Sequence, residues 1–135
     1  MRNDANRRTE NPIIFLAKAE RVVDLVLTYT DNIKRYPKKV RFSVSNPFLA
    51  DALSLLELGN EFYDILVESE AEFMEKRTLQ RRFLARVKRI EFWLRLSEKR
   101  GYLSAREVGI IANPLNDARN IVAHMYKKER SRYRQ

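Results

Sequence analysis

Apolar positions recur along this chain in four stretches with a helical period. The first runs from Ile13 to Tyr36. Asn11-Pro12 opens it with an N-cap followed by a first-turn proline, and Pro37 stops it. Asn46-Pro47 repeats the start signal. From there Phe48, Ala52, Leu55, Leu56, Phe62, Tyr63, Leu66 and Phe73 keep helical spacing, predicting a second helix that reaches about Phe73. A third helix is predicted from about Thr78 to Arg100, with Gly101 as the residue beyond its C-cap. Ser104 and Glu107 form a capping box for the fourth. Within it Val108, Ile111, Leu115, Ala118, Val122 and Met125 hold their spacing straight through Pro114. An interior proline costs about 3 kcal/mol, so one helix kinked near Pro114 is expected rather than two helices. The one strand-like alternation, Val40, Phe42 and Val44, is expected as a loop folded over the bundle end. Four amphipathic helices with short connections predict an all-α fold, an antiparallel four-helix bundle over residues 12–126. Residues 1–11 are expected as a disordered N-terminus and residues 127–135 as a basic C-terminal tail.

Length and composition narrow the possible chemistry. The 135 residues suit one domain. The absence of Cys excludes disulfides, thiolate nucleophiles and Cys-based metal sites, and a single His excludes a multi-His zinc site. No isolated glycine belongs to a phosphate-cradling loop. No cofactor or metal is therefore expected. Apolar runs such as Ile13–Ala17 fall far short of the roughly 18 residues that a membrane span needs, and the chain is expected to be cytoplasmic.

Charge changes the picture most. Twenty-seven Lys and Arg against eighteen Asp and Glu leave a net charge of +9, which points to a polyanionic partner, RNA or DNA before a membrane surface. By segment, residues 1–45 carry +5, 46–75 carry −8, 76–100 carry +8 and 101–135 carry +4. At 100° per residue Arg77, Arg81, Lys88, Arg95 and Lys99 lie within roughly 40° of one another, opposite the core stripe of Leu79, Phe83, Val87, Ile90 and Leu94. Arg82, Arg86, Arg89 and Arg100 form a second row between ridge and core. Like charges in line repel unless an anion lies along them. One candidate anion is the acidic set Glu57, Glu61, Asp64, Glu68, Glu72 and Glu75, expected on one arc of helix two, within the chain or across a subunit boundary. The other is a phosphate backbone, to which Arg makes bidentate contacts. Lys34, Arg35, Lys38, Lys39 and Arg41 in the first loop and Lys127, Lys128, Arg130, Arg132 and Arg134 in the tail supply further positive charge. Tyr126 and Tyr133 among the tail charges could stack on bases.

Phe92, Trp93 and Leu96 lie off the core arc of helix three, and Leu58 and Ile65 off that of helix two, so a homo-oligomer is expected to cover them. One constellation could carry chemistry. Arg119, Asn120, His124 and Tyr126 resemble the Arg-polar-x-x-x-His-x-Tyr signature of HEPN ribonucleases and toxins. That resemblance implies metal-independent RNA cleavage, with His124 moving a ribose proton and Arg119 stabilising phosphorane charge. Against it, the two residues stand 140° apart on a straight helix, which also allows a half-buried His124 with Arg119 on the surface.

The segment Arg89-Ile90-Glu91-Phe92-Trp93-Leu94-Arg95-Leu96, followed by Leu103-Ser104-Ala105-Arg106-Glu107-Val108, resembles the accessory variability determinant (Avd) family of diversity-generating retroelements. That family belongs with the ribosomal intervening-sequence proteins among four-helix bundles. The likeness extends to Ala19-Glu20-Arg21-Val22-Val23 and Pro37-Lys38-Lys39, covering roughly residues 15 to 126. Where the family often ends in a Gly-x-Trp-like motif, this chain reads Ile121-Val122-Ala123-His124. The resemblance implies a barrel-like oligomer, a pentamer in the retroelement members. It also implies a non-catalytic protein that binds a reverse transcriptase and its RNA template or cDNA.

Overall fold

The computed structural model describes the backbone of residues 2–133 and the side chains of residues 13–129. Four helices carry the chain: α1 (Arg2–Thr30), α2 (Asn46–Tyr63), α3 (Glu70–Lys99) and α4 (Ala105–Tyr133). No strand occurs among the described residues. Each helix packs on two neighbours, α1 against α2 and α4, and α3 against the same two.

The shared core is built from the predicted stripes. Phe15, Phe62 and Phe83 are fully buried and meet ring to ring, Phe15 stacked on Phe62 at 5.1 Å and Phe83 edge-on to both at 5.7 and 5.8 Å. Gly59 lets them close up: a Cβ there would stand 2.9 Å from Phe15 Cε1 and 3.3 Å from Phe83 Cε2. Leu55, Val87, Ile90, Leu115 and Val122 continue the core, each burial contributing about 1.5–3 kcal/mol.

Several boundaries differ from the periodic reading. The second helix stops at Tyr63, not near Phe73, and the third starts at Glu70, not Thr78. The signal that starts α3 is local hydrogen bonding. Ser69 Oγ accepts the Glu72 amide at 3.3 Å, and Glu72 Oε1 accepts the Glu68 amide at 2.8 Å, a variant of the Ser-x-x-Glu box that opens α4 in which the return bond goes to the residue before the cap. Leu66 sits in the connection, 70% exposed, while Phe73 is buried on the first turns of α3. Asn11-Pro12 lies inside α1 rather than at its start; Pro12 removes one backbone donor from that turn. Residues 1–11, expected as a disordered N-terminus, have no described side chains, and neither do Arg130, Arg132, Tyr133 and Arg134.

The other punctuation follows the sequence. Gly101 adopts φ +79° beyond the C-cap Arg100, with its amide bonded to the Glu98 carbonyl and the Tyr102 amide to the Ser97 carbonyl, a Schellman closure. Ser104 and Glu107 exchange both capping-box bonds, at 2.9 and 3.1 Å. The fourth helix passes unbroken through a buried Pro114. It also continues to Tyr133, so Lys127 and Lys128 stand on helix rather than on a separate tail.

Between α1 and α2 the chain makes a 3-10 turn (Lys38–Val40) and a π-helical turn (Arg41–Ser45). Tyr36 pins this segment to the end of α3. Tyr36 is 2% exposed, and its hydroxyl donates to Ser97 Oγ at 2.8 Å. Burial, offset in part by the Ser97 bond, pushes the Tyr36 hydroxyl up to about 12. Beside it the Arg35 guanidinium holds Glu107 at 2.6 Å.

Candidate nucleic-acid interface

The basic residues of α3 divide according to their partners. Arg77 is tied to α4: its guanidinium donates to the Tyr126 carbonyl at 2.9 Å and lies 3.5 Å from the centre of the Tyr126 ring and 5.4 Å from that of Phe73. Next to it Lys76 reaches Glu129 at 3.1 Å, and Gln80 donates to the same carboxylate at 3.2 Å. Arg77 is therefore a helix-to-helix tie rather than the first member of an open ridge, and Tyr126 is covered by it instead of being available to a base.

Arg81, Lys88, Arg95 and Lys99 differ. All four are exposed, and none forms an ion pair or side-chain hydrogen bond with a described residue. From Arg81 to Lys99 this line is about 27 Å long at 1.5 Å per residue. Arg82 and Arg100 are exposed beside it without an ion pair to a described residue.

On the α2 side of the line, Arg86 and Arg89 converge on one carboxylate. Asp51 Oδ1 lies 3.4 Å from Arg86 and 3.3 Å from Arg89, and Asp51 Oδ2 accepts the Trp93 indole N–H at 2.7 Å. The Asp51 side chain is 6% exposed. A buried carboxylate must be charge-paired and hydrogen-bonded to be tolerated, and these three donors meet that requirement. Arg86 Nε, also buried, has no hydrogen-bond partner among the described residues. Arg86 thus serves packing, whereas Arg89, with 61% of its side chain exposed, keeps a face to solvent.

Asp51 was not among the acidic residues expected to face the basic helix. Its signal in the sequence is position: it lies three residues after Phe48 and four before Leu55, on the apolar side of α2. The expected acidic arc does not form. Glu57 and Glu61 are on α2, Asp64 and Glu68 in the connection, and Glu72 and Glu75 on α3, because the chain turns between residues 63 and 70. None of these six pairs with a basic side chain among the described residues.

The apolar residues expected to need a partner subunit also divide. Leu58 is 8% exposed and belongs to the core. Trp93, Leu96 and Ile65 are half-buried; Trp93 lies over Phe48 with ring centres 6.3 Å apart. Phe92 stands edge-on to Trp93 and remains 47% exposed. Lys88, Arg89, Phe92 and Trp93 line a shallow open depression.

Lys38, Lys39 and Arg41 are exposed on the turns that Tyr36 holds at the Lys99 end of α3. Lys127 and Lys128 are exposed on α4 just beyond Tyr126, at the Arg77 end. Arg130 lies outside the described side chains. Arg119 and His124 are both exposed on α4, so His124 is not the half-buried side chain of the alternative reading. No hydrogen bond joins them. Among the described residues no group of three or more His, Cys, Asp and Glu side chains could hold a metal ion, and no helix is long and apolar enough to cross a membrane. Compared with protein-family models, curated proteins and solved structures, the chain matches no family, no curated protein and no solved structure.

Proposed function

We propose that this chain is a non-catalytic nucleic-acid-binding accessory protein of the Avd kind. In this reading it is an antiparallel four-helix bundle, kinked near Pro114, that assembles into a homo-oligomer, a pentamer as in the retroelement members. It binds a reverse transcriptase together with its template RNA or cDNA and supports mutagenic reverse transcription. The observation that carries the reading is the line Arg81, Lys88, Arg95 and Lys99: four exposed cations without an acidic partner among the described residues. Such a line repels itself in isolation and is relieved by a phosphate backbone laid along it. Arg82 and Arg89 flank it, and Lys38, Lys39 and Arg41 extend the positive surface at one end, Lys127 and Lys128 at the other.

Titrating RNA binding against salt tests the proposal. Several displaced counterions give a steep fall of affinity with salt. A flat or absent response contradicts nucleic-acid binding. Sedimentation of the purified chain tests the oligomer, and a neighbouring reverse-transcriptase gene whose product co-purifies with the chain tests the accessory role, which the absence of both contradicts.

A further inference from the structure

Phe92 interrupts the line of cations. On α3 it follows Lys88 by four residues and precedes Arg95 by three, which places it within roughly 60° of Arg81, Lys88, Arg95 and Lys99 at 100° per residue. It is also 47% exposed, although a phenyl ring gains by burial.

Its surroundings are fixed rather than loose. Trp93, edge-on to Phe92 at 5.1 Å, is held from below by Phe48 and by the Asp51 carboxylate. The same carboxylate steadies Arg89, and Arg89 and Lys88 line one depression together with the two rings. A rigid aromatic surface bordered by exposed cations has the chemistry of a base-stacking platform with phosphate contacts at its edge. In a duplex the bases are stacked on one another inside, and only phosphates reach a convex helix face. In a single strand a base can leave its neighbours and lie on a ring.

We infer that the depression formed by Lys88, Arg89, Phe92 and Trp93 receives an unpaired nucleobase, stacked on Phe92 with its phosphates on Lys88 and Arg89, so that the surface selects single-stranded over double-stranded nucleic acid. This rests on the nucleic-acid reading above and adds the class of strand.

The test compares binding of a fluorescent oligouridylate of about 12 nucleotides with binding of an RNA duplex of the same length. Phe92→Leu, which keeps an exposed apolar side chain, weakens single-strand binding about tenfold and leaves duplex binding within about twofold. Phe92→Tyr restores single-strand binding. Lys88→Gln weakens both. Far-UV circular dichroism unchanged in Phe92→Leu shows that the helices persist; if helicity falls, Phe92→Trp, which retains a stacking face, must bind the single strand as wild type does. A single-strand affinity that Phe92→Leu leaves unchanged, or an equal loss for both probes, overturns the inference while nucleic-acid binding stands. A wild-type chain that binds neither probe overturns both, and leaves the depression to a protein partner.

Discussion

Two flanks of the same helix hold similar side chains in opposite situations. On one, Arg86, Arg89 and Trp93 converge on the buried Asp51 carboxylate; on the other, Arg81, Lys88, Arg95 and Lys99 project without an acidic partner among the described residues. The first flank is part of how α2 and α3 hold together. The second contributes nothing to that packing and carries a repulsive cost. Basic residues counted together therefore mislead: a guanidinium closed over a buried acid, as Arg86 is, is scaffold, one left in water is available to a ligand, and Arg89, paired with Asp51 yet 61% exposed, has a side to each. Arg77 belongs with the scaffold, because Tyr126 occupies it.

Changes to each flank break this contrast differently. Reversing Arg81, Lys88 and Arg95 to Glu has the largest expected effect: RNA affinity falls more than about a hundredfold at physiological salt while helicity is unchanged. Retained affinity would move the contact to Lys38, Lys39 and Arg41 or to the end of α4. Asp51→Asn acts on the other flank. It removes the charge that holds two guanidinium groups, with an expected loss of about 2 kcal/mol of unfolding free energy in urea and a shift in Trp93 emission. If stability is unchanged, the two arginines are held by packing alone.

Tyr36 tests whether the turn carrying Lys38, Lys39 and Arg41 is locked to the end of α3. Its hydroxyl is pushed from the usual 10 up to about 12, so the folded state holds this proton more tightly than the unfolded chain. Stability from the neutral hydroxyl is fully present below pH 10 and is lost as pH rises from 10 to 12. Tyr36→Phe costs about 1 kcal/mol at neutral pH. Tyr36→Phe lacks this titration, so the advantage of wild type should shrink and then reverse across that alkaline window, and a constant gap would contradict a buried, neutral Tyr36. The smallest effect is expected at the exposed pair on α4. Arg119→Ala and His124→Ala leave RNA intact just as wild type does; cleavage by wild type that His124→Ala abolishes would replace the binding role with a ribonuclease.

Much of the scaffold was legible in residue order because it is local. Helical spacing carries the four helices, Gly101 the end of α3, and Ser104 with Glu107 the start of α4. The turn between α2 and α3 was obscured because Leu66 and Phe73 continue the apolar period across it, although Leu66 faces solvent. Ser69 with Glu72 was the overriding signal. The site was legible only as a stripe of charge. Asp51 lies 35 residues from Arg86 and 42 from Trp93, and Arg77 lies 49 from Tyr126, so no local period reveals which cations are already taken. The exposed remainder, Arg81, Lys88, Arg95 and Lys99, is what packing leaves over.

The most direct measurement is the salt dependence of single-stranded RNA binding by wild type and by a variant carrying Arg81→Gln, Lys88→Gln and Arg95→Gln. If each of the three side chains neutralises a phosphate, the slope of log affinity against log salt becomes shallower by about two, at roughly 0.7 per contact on a single strand. An unchanged slope would contradict the account, because the line of unpaired cations would then not be where the strand lies.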